Sequence, residues 1–206
     1  MTLLTQDQLS GLALKVEEAE KKTDAEIVCV LAGAADDYYY ISTLWAALTA
    51  MLILPIMVWF TPFWLESSEI MVVQWLSFIM LALLFRLPRL KMLLVPGAVK
   101  KRRAAHLARR QFLEQNLHTT KSQLGALVFV AEAEHYVEIL VDQGISVTIE
   151  NDQWQPVIKQ LVSNIKAGEV EKGFHGCIDS VATLLGTVFP PTNETGNELP
   201  DRLVVL

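Results

Sequence analysis

A single α/β domain interrupted by a membrane hairpin is the fold class that this 206-residue chain predicts. Two long stretches nearly free of charge lie in its first half, an isolated β-type run precedes them, and a strand, strand, helix, helix pattern follows them. The length suits one domain plus a membrane element and is short for two domains. A hydrophobic content of 52% with five Trp exceeds what a soluble domain of this size needs, so apolar segments are expected to do something other than fill a core.

The first element is a helix over Thr5 to Lys22. Leu9, Leu12, Ala13, Val16 and Ala19 fall on one face, and Thr5 with Gln8 three residues later fits a capping box. Ile27 to Ala32 is then continuously apolar and ends at Gly33, as suits a strand covered on both faces. These residues, 1–38, form the first part of the domain.

Residues 41–60, "ISTLWAALTAMLILPIMVWF", contain no charged side chain and would extend about 30 Å as a helix, the thickness of a hydrocarbon core. Pro55 inside the run is tolerable in a membrane helix and offers a kink. A second span is expected over residues 70–87, where Ile70 to Phe85 is short but Arg86 can extend it by snorkelling. The linker "TPFWLESSE" supplies Phe63 and Trp64 as interface anchors, with Glu66 and Glu69. No cleavable signal is expected, because the first forty residues lack an apolar core segment.

Charge orients the hairpin. Arg86 to Arg110 holds nine Lys and Arg and no acid, although the chain's net charge is −6; without those nine the remainder would stand at −15. Basic residues within about 15 to 20 positions of a span stay on the cytoplasmic side, which predicts a multi-pass protein of a bacterial inner membrane with both termini cytoplasmic. "LKMLLVPGAV" reads as an interfacial stretch whose neighbours meet anionic lipid. The bilayer is thus the first expected partner. Nucleic acid is not expected, since the basic run lacks interleaved aromatics, and a nucleic-acid or lipid binder acting through Lys100 to Arg110 is only a third reading.

The second part of the domain is expected over residues 96–189. Ala98 to Leu117 should be helical; Ala126 to Glu132 and Tyr136 to Asp142 should form an antiparallel hairpin about a short turn, ended by Gly144. Trp154, Val157, Ile158, Leu161, Val162 and Ile165 repeat at helical spacing before Gly168, and Phe174 to Val188 does the same. The first strand has no partner before the hairpin and must pair with the strands after Gly125. Residues 190–206 have the Pro, Asn, Gly and acid content of a disordered tail.

No nucleophile elbow, zinc-protease motif, phosphate loop or dinucleotide fingerprint occurs, and no catalytic, cofactor or metal residue is assigned. Cys29 and Cys177 read as buried hydrophobes without a C-x-x-C. His106, His118, His135 and His175 have no ligand spacing and read as surface imidazoles. Asp36, Asp37 and Asp142 follow strand ends, where they either are solvated loop acids or hold a hard cation such as Ca²⁺ or Mg²⁺.

"TDAEIVCVLAG", "LGALVFVAEAEHYVEILVDQGI" and the segment Trp154 to Leu185 together resemble the TPM-domain family, whose members include a plant thylakoid-lumen acid phosphatase-like protein, a nematode acetylcholine-receptor auxiliary subunit and bacterial membrane-associated proteins. The resemblance implies a mixed central sheet with helices on both faces. It leaves two functions open: a membrane-anchored, non-enzymatic interaction or assembly module serving a membrane or cytoplasmic protein, and a metal-dependent phosphatase using Asp36, Asp37 and Asp142.

Overall fold

The computed structural model describes residues 4–60, 66–120, 122–192 and 203–206, and the chain divides into two compact units. The first comprises Met1–Ala35 and Lys101–Leu206; the second is Asp36–Lys100.

In the first unit, α1 (Gln6–Glu20) begins at the expected capping box: Thr5 N donates to Gln8 Oε1 at 2.7 Å, and Gln8 N donates to Thr5 Oγ1 at 3.4 Å. It buries Leu12, Val16 and Ala19. β1 (Glu26–Ala32) pairs in parallel with β2 (Gly125–Ala131), from Glu26 opposite Gly125 to Ala32 opposite Ala131. β3 (Tyr136–Val141) returns antiparallel to β2, and β4 (Leu203–Val205) lies parallel to β1 on its other side, giving the order β3-β2-β1-β4. The first strand therefore finds its partner beyond the insertion, as its isolation in sequence required.

Both faces of this mixed sheet are covered, which explains why β1 and β2 read as unbroken apolar runs. Alternate residues still separate by side. Ile27, Cys29, Leu31, Ala126, Val128 and Val130 pack with α1, α7 (Asn151–Lys166) and α8 (Val170–Val188), through residues such as Leu12, Leu161 and Phe174. Val28, Val30, Leu127 and Phe129 meet Ala104 and Ala108 of α5 (Gly97–Glu114), whose small side chains let the helix lie close to the sheet. Gly125 is required where the chain passes Leu117, because a Cβ there would stand 2.6 Å from the Leu117 carbonyl oxygen. Gly168 ends α7 with φ +79°, a conformation that side chains resist.

Three expectations need correction in this unit. The segment after Pro190 is not simply a tail: Thr192 N and Oγ1 both donate to the Asp24 carboxylate, and Leu203–Val205 adds the edge strand β4. Residues 193–202 lie outside the described residues. The expected stop at Gly144 is instead the first turn of a short helix, α6 (Gln143–Thr148), and α5 ends at Glu114, with a separate 3-10 turn at Leu117–Thr119.

The second unit contains α2 (Tyr39–Phe60), α3 (Ser67–Leu84) and α4 (Pro88–Leu94). Pro55 lies within α2. The linker anchors Phe63 and Trp64 fall outside the described residues. Ala46 and Ala50 of α2 are buried, and Gln74 Nε2 of α3 donates to the Ala50 carbonyl at 2.8 Å. Large apolar side chains are exposed on both helices: Leu48, Met51 and Leu52 on α2, and Val72, Trp75, Ile79 and Met80 on α3. Thr43 and Thr49 turn their hydroxyls back to the carbonyls of Tyr39 and Trp45, so neither presents an unmet donor. The expected second span ends at Leu84, and the interfacial stretch is the helix α4.

Among the described residues no single helix is long and apolar enough to cross a membrane. Ser68–Leu84 and Pro88–Leu94 meet that requirement together but are bent by 100°, and the apolar stretch followed through α2 is Tyr39–Ile53.

Candidate functional site

Within the first unit, Asp142 and the end of β1 that leads to Asp36 and Asp37 lie at opposite ends of the sheet. β3 runs against β2, so Asp142 emerges at the Gly125 end of the sheet, where its N–H donates to the Gly125 carbonyl at 2.8 Å. β1 leaves the sheet at the opposite end, past Ala32, on the way to Asp36 and Asp37. Asp142 caps α6, accepting from Gln143 N at 2.7 Å, and Asp36 accepts from Tyr38 N at 3.3 Å. Among the described residues no three His, Cys, Asp or Glu side chains are grouped so as to hold a metal ion.

One carboxylate that the sequence reading passed over closes the other end of the sheet. Glu134, 8% exposed in the turn between β2 and β3, accepts from Ala35 N at 3.0 Å, beside backbone bonds from Glu132 N to Ala32 O and Ala133 N to Gly33 O. It ties the exit of β1 to the hairpin. A Glu two residues before the second strand in "AEAEH" looks like any turn acid, and only the parallel pairing of β1 brings it a backbone donor.

The thiols are buried and inert. Burial is the main reason that the Cys177 pKa is pushed up to about 12 and that of Cys29 is held well above the ordinary thiol range. His106, His118 and His135 are exposed, and His175 Nε2 stands 4.0 Å from Glu171 Oε1 one helical turn away. A small recess beside His135, Tyr136 and Ile165 measures about 10 Å³, room for one water and for no substrate.

Charge and exposed apolar surface are the features that remain. On α5 the residues Ala104, Ala108 and Gln111 face inward, which leaves Lys101, Arg102, Arg103, His106, Arg109 and Arg110 exposed. Arg110 pairs with Glu114 at 2.7 Å, whereas Lys101, Arg102 and Arg109 have no salt bridge among the described residues. Within the helical unit, Arg86 Cζ lies 5.7 Å and Lys91 Nζ 5.4 Å from the centroid of the Tyr39 ring, both within cation–π range. Trp45 Nε1 donates to the Leu94 carbonyl at 3.1 Å and so fastens α4 to the early turns of α2. Both cations stand in the basic run, but their convergence depends on the bend between α3 and α4.

A mixed sheet enclosed by helices on both faces, with an apolar helical insertion after its first strand, defines the class: an α/β domain carrying an inserted helical unit. Residues 90–184, somewhat under half of the chain, match the family model described as the TPM domain. No curated protein matches the chain. Among solved structures it is similar to the NMR structure of BA42 protein from the psychrophilic bacterium Bizionia argentinensis, with a TM-score of 0.61 and 17% identity over 98% of this chain and 95% of that one. At that identity the likeness concerns the fold alone.

Proposed function

We propose that this chain is a TPM-domain protein held in a bacterial inner membrane by α2 and α3 as a hairpin, with both termini cytoplasmic. There it serves as a non-enzymatic module for interaction or assembly. The observation that carries this reading is the exposure pattern of the helical unit, in which the Gln74 amide meets the buried Ala50 between the helices while Leu48, Met51, Leu52, Trp75, Ile79 and Met80 face outward. Exposed apolar surface of that extent is unfavourable in water, whereas in lipid close packing over small residues and an interhelical hydrogen bond are what hold helices together. α2 has 22 residues, about 33 Å in length, and no charged side chain.

The orientation rests on Arg86 to Arg110, and the non-enzymatic role on the separation of Asp142 from the β1 exit by the length of the sheet. The partner is a membrane or cytoplasmic protein, with no nucleic acid involved. Two measurements test the reading. The intact chain should stay with membranes after alkaline carbonate extraction, and single cysteines before Ile41 and after Arg103 should both be labelled only from the cytoplasmic side. Labelling from opposite sides overturns the hairpin. Hydrolysis of a generic phosphomonoester by the purified chain, abolished by Asp142→Asn, would replace the module with a metal-dependent phosphatase. If the module reading holds, crosslinking in intact membranes should retain the same neighbouring protein whether or not Asp142 is substituted.

A further inference from the structure

We propose that Tyr39, Arg86 and Lys91 form a binding site for the phosphodiester headgroup of an anionic phospholipid, an inference that rests on the membrane reading above. Three separate elements supply the group. Tyr39 is the first residue of α2, Arg86 lies in the turn after α3, and Lys91 is in α4. Their meeting point is one aromatic ring, 5.7 Å from the guanidinium carbon and 5.4 Å from the ammonium nitrogen.

Two like charges brought to one ring repel each other, and the electron-rich face of tyrosine offsets only part of that repulsion. A full anion is the natural complement, and among the described residues neither cation forms an ion pair. The acids Glu66 and Glu69 stand at the opposite end of α3, 17 to 20 positions from Arg86, about 25 Å or more along the helix. Asp37, close in sequence to Tyr39, forms no ion pair among the described residues. The cradle is also held in shape without a ligand: Trp45 Nε1 is bonded to the Leu94 carbonyl, while Tyr38, Ile41 and Val95 are buried together with Met92 packed against them.

The chemistry of the two cations suits a phosphodiester. Arg86 presents a planar fork that can take two oxygens of one phosphate, and Lys91 adds a point charge. Lipid is favoured over free phosphate by what surrounds the charges. Leu87 is 52% and Leu93 81% exposed on either side of Lys91, and Tyr40 is exposed beside Tyr39. Those groups give acyl chains and glycerol an apolar bed next to the cations, as at a membrane interface.

The test uses the full-length chain reconstituted in phosphatidylcholine nanodiscs that carry spin-labelled phosphatidylglycerol or spin-labelled phosphatidylcholine in trace amounts. The immobilised fraction is expected to favour phosphatidylglycerol. Arg86→Gln and Lys91→Gln should each weaken that preference roughly fivefold, the effect of one basic residue near an anionic surface. Tyr39→Phe should keep the preference and Tyr39→Leu reduce it, while Lys101→Gln with Arg102→Gln should leave most of it. Equal immobilisation of the two lipids, or loss of preference only with the Lys101 and Arg102 pair, overturns the site but not the anchor. Displacement of the label by millimolar inorganic phosphate reassigns the site to a soluble phosphate and overturns the lipid. A chain that stays in the aqueous phase and enters no nanodisc overturns site and anchor together.

Discussion

The α/β unit and the helical unit solve opposite packing problems with the same residue types. In the first, Val28, Val30, Leu127 and Phe129 are inside and the charges of α5 are outside. In the second, Met51, Leu52, Trp75 and Met80 are outside, and Ala50 and Gln74 meet between the helices. A hydrophobic residue therefore has no fixed meaning along this chain. On the membrane reading proposed above, what it contributes depends on which solvent its unit faces, and the contrast can be tested by making matched changes on either side of it.

The largest effect should come from removing a large core side chain. Phe129 has no exposed surface, and Phe129→Ala should cost the α/β unit about 3 to 5 kcal/mol, read as a lower denaturant midpoint. Met51→Ala, at a residue 71% exposed, should change stability by no more than about 0.5 kcal/mol. Comparable losses at both positions would mean that Met51 packs against protein and that the helical unit is not outward-facing.

A charge asks the complementary question. Met51→Asp should be nearly silent if that face meets water, whereas in the middle of a bilayer an aspartate opposes helix insertion by about 2.5 to 3.5 kcal/mol. The expected outcome is a marked fall in the membrane-bound fraction after carbonate extraction. Unchanged partitioning would break the comparison at its centre.

Small residues sharpen it, because both units depend on them for close approach. Gly125→Ala would drive a Cβ to 2.6 Å from the Leu117 carbonyl oxygen, and Ala50→Leu would force apart a contact between α2 and α3 at a residue 1% exposed. Each should cost about 1 to 3 kcal/mol. The first is read in denaturant unfolding, the second in the heat stability of the detergent-solubilised chain. A neutral Ala50→Leu would show that the helices do not meet where the structure places them.

Much of the sheet was legible because its local and global signals agree. The unbroken run Ile27 to Ala32 announced burial on both faces, and its lack of an early partner required pairing after Gly125. The capping box at Thr5 and the stop at Gly168 marked helix ends by side-chain chemistry alone. β4 was not legible. Three residues, Leu203–Val205, become a strand only because Cys29 to Leu31 offer an open parallel edge, and composition around them points the other way. α6 is too short to reveal a helical period, and the sequence around Asp142 does not say which end of the sheet its strand reaches. The Tyr39 cluster was hidden for the same reason: its members are 47 and 52 positions apart, and only the bend after α3 unites them.

The finest test concerns Gln74, whose amide nitrogen reaches the Ala50 carbonyl while its Oε1 is buried without a hydrogen-bond partner among the described residues. In an aqueous core, Gln74→Leu would lose one bond, relieve one unmet acceptor and gain apolar burial, so its net effect could be stabilising. Between helices in lipid, apolar burial adds nothing, since the acyl chains already provide it, and what remains is the lost interhelical bond, on average about 0.6 kcal/mol. Gln74→Leu should therefore weaken the α2–α3 contact slightly in detergent, seen as faster trapping of a mismatched disulfide in a chain bearing cysteines at positions 48 and 79. A clear stabilisation would place this contact in the same class as the Phe129 core and remove the distinction between the two units.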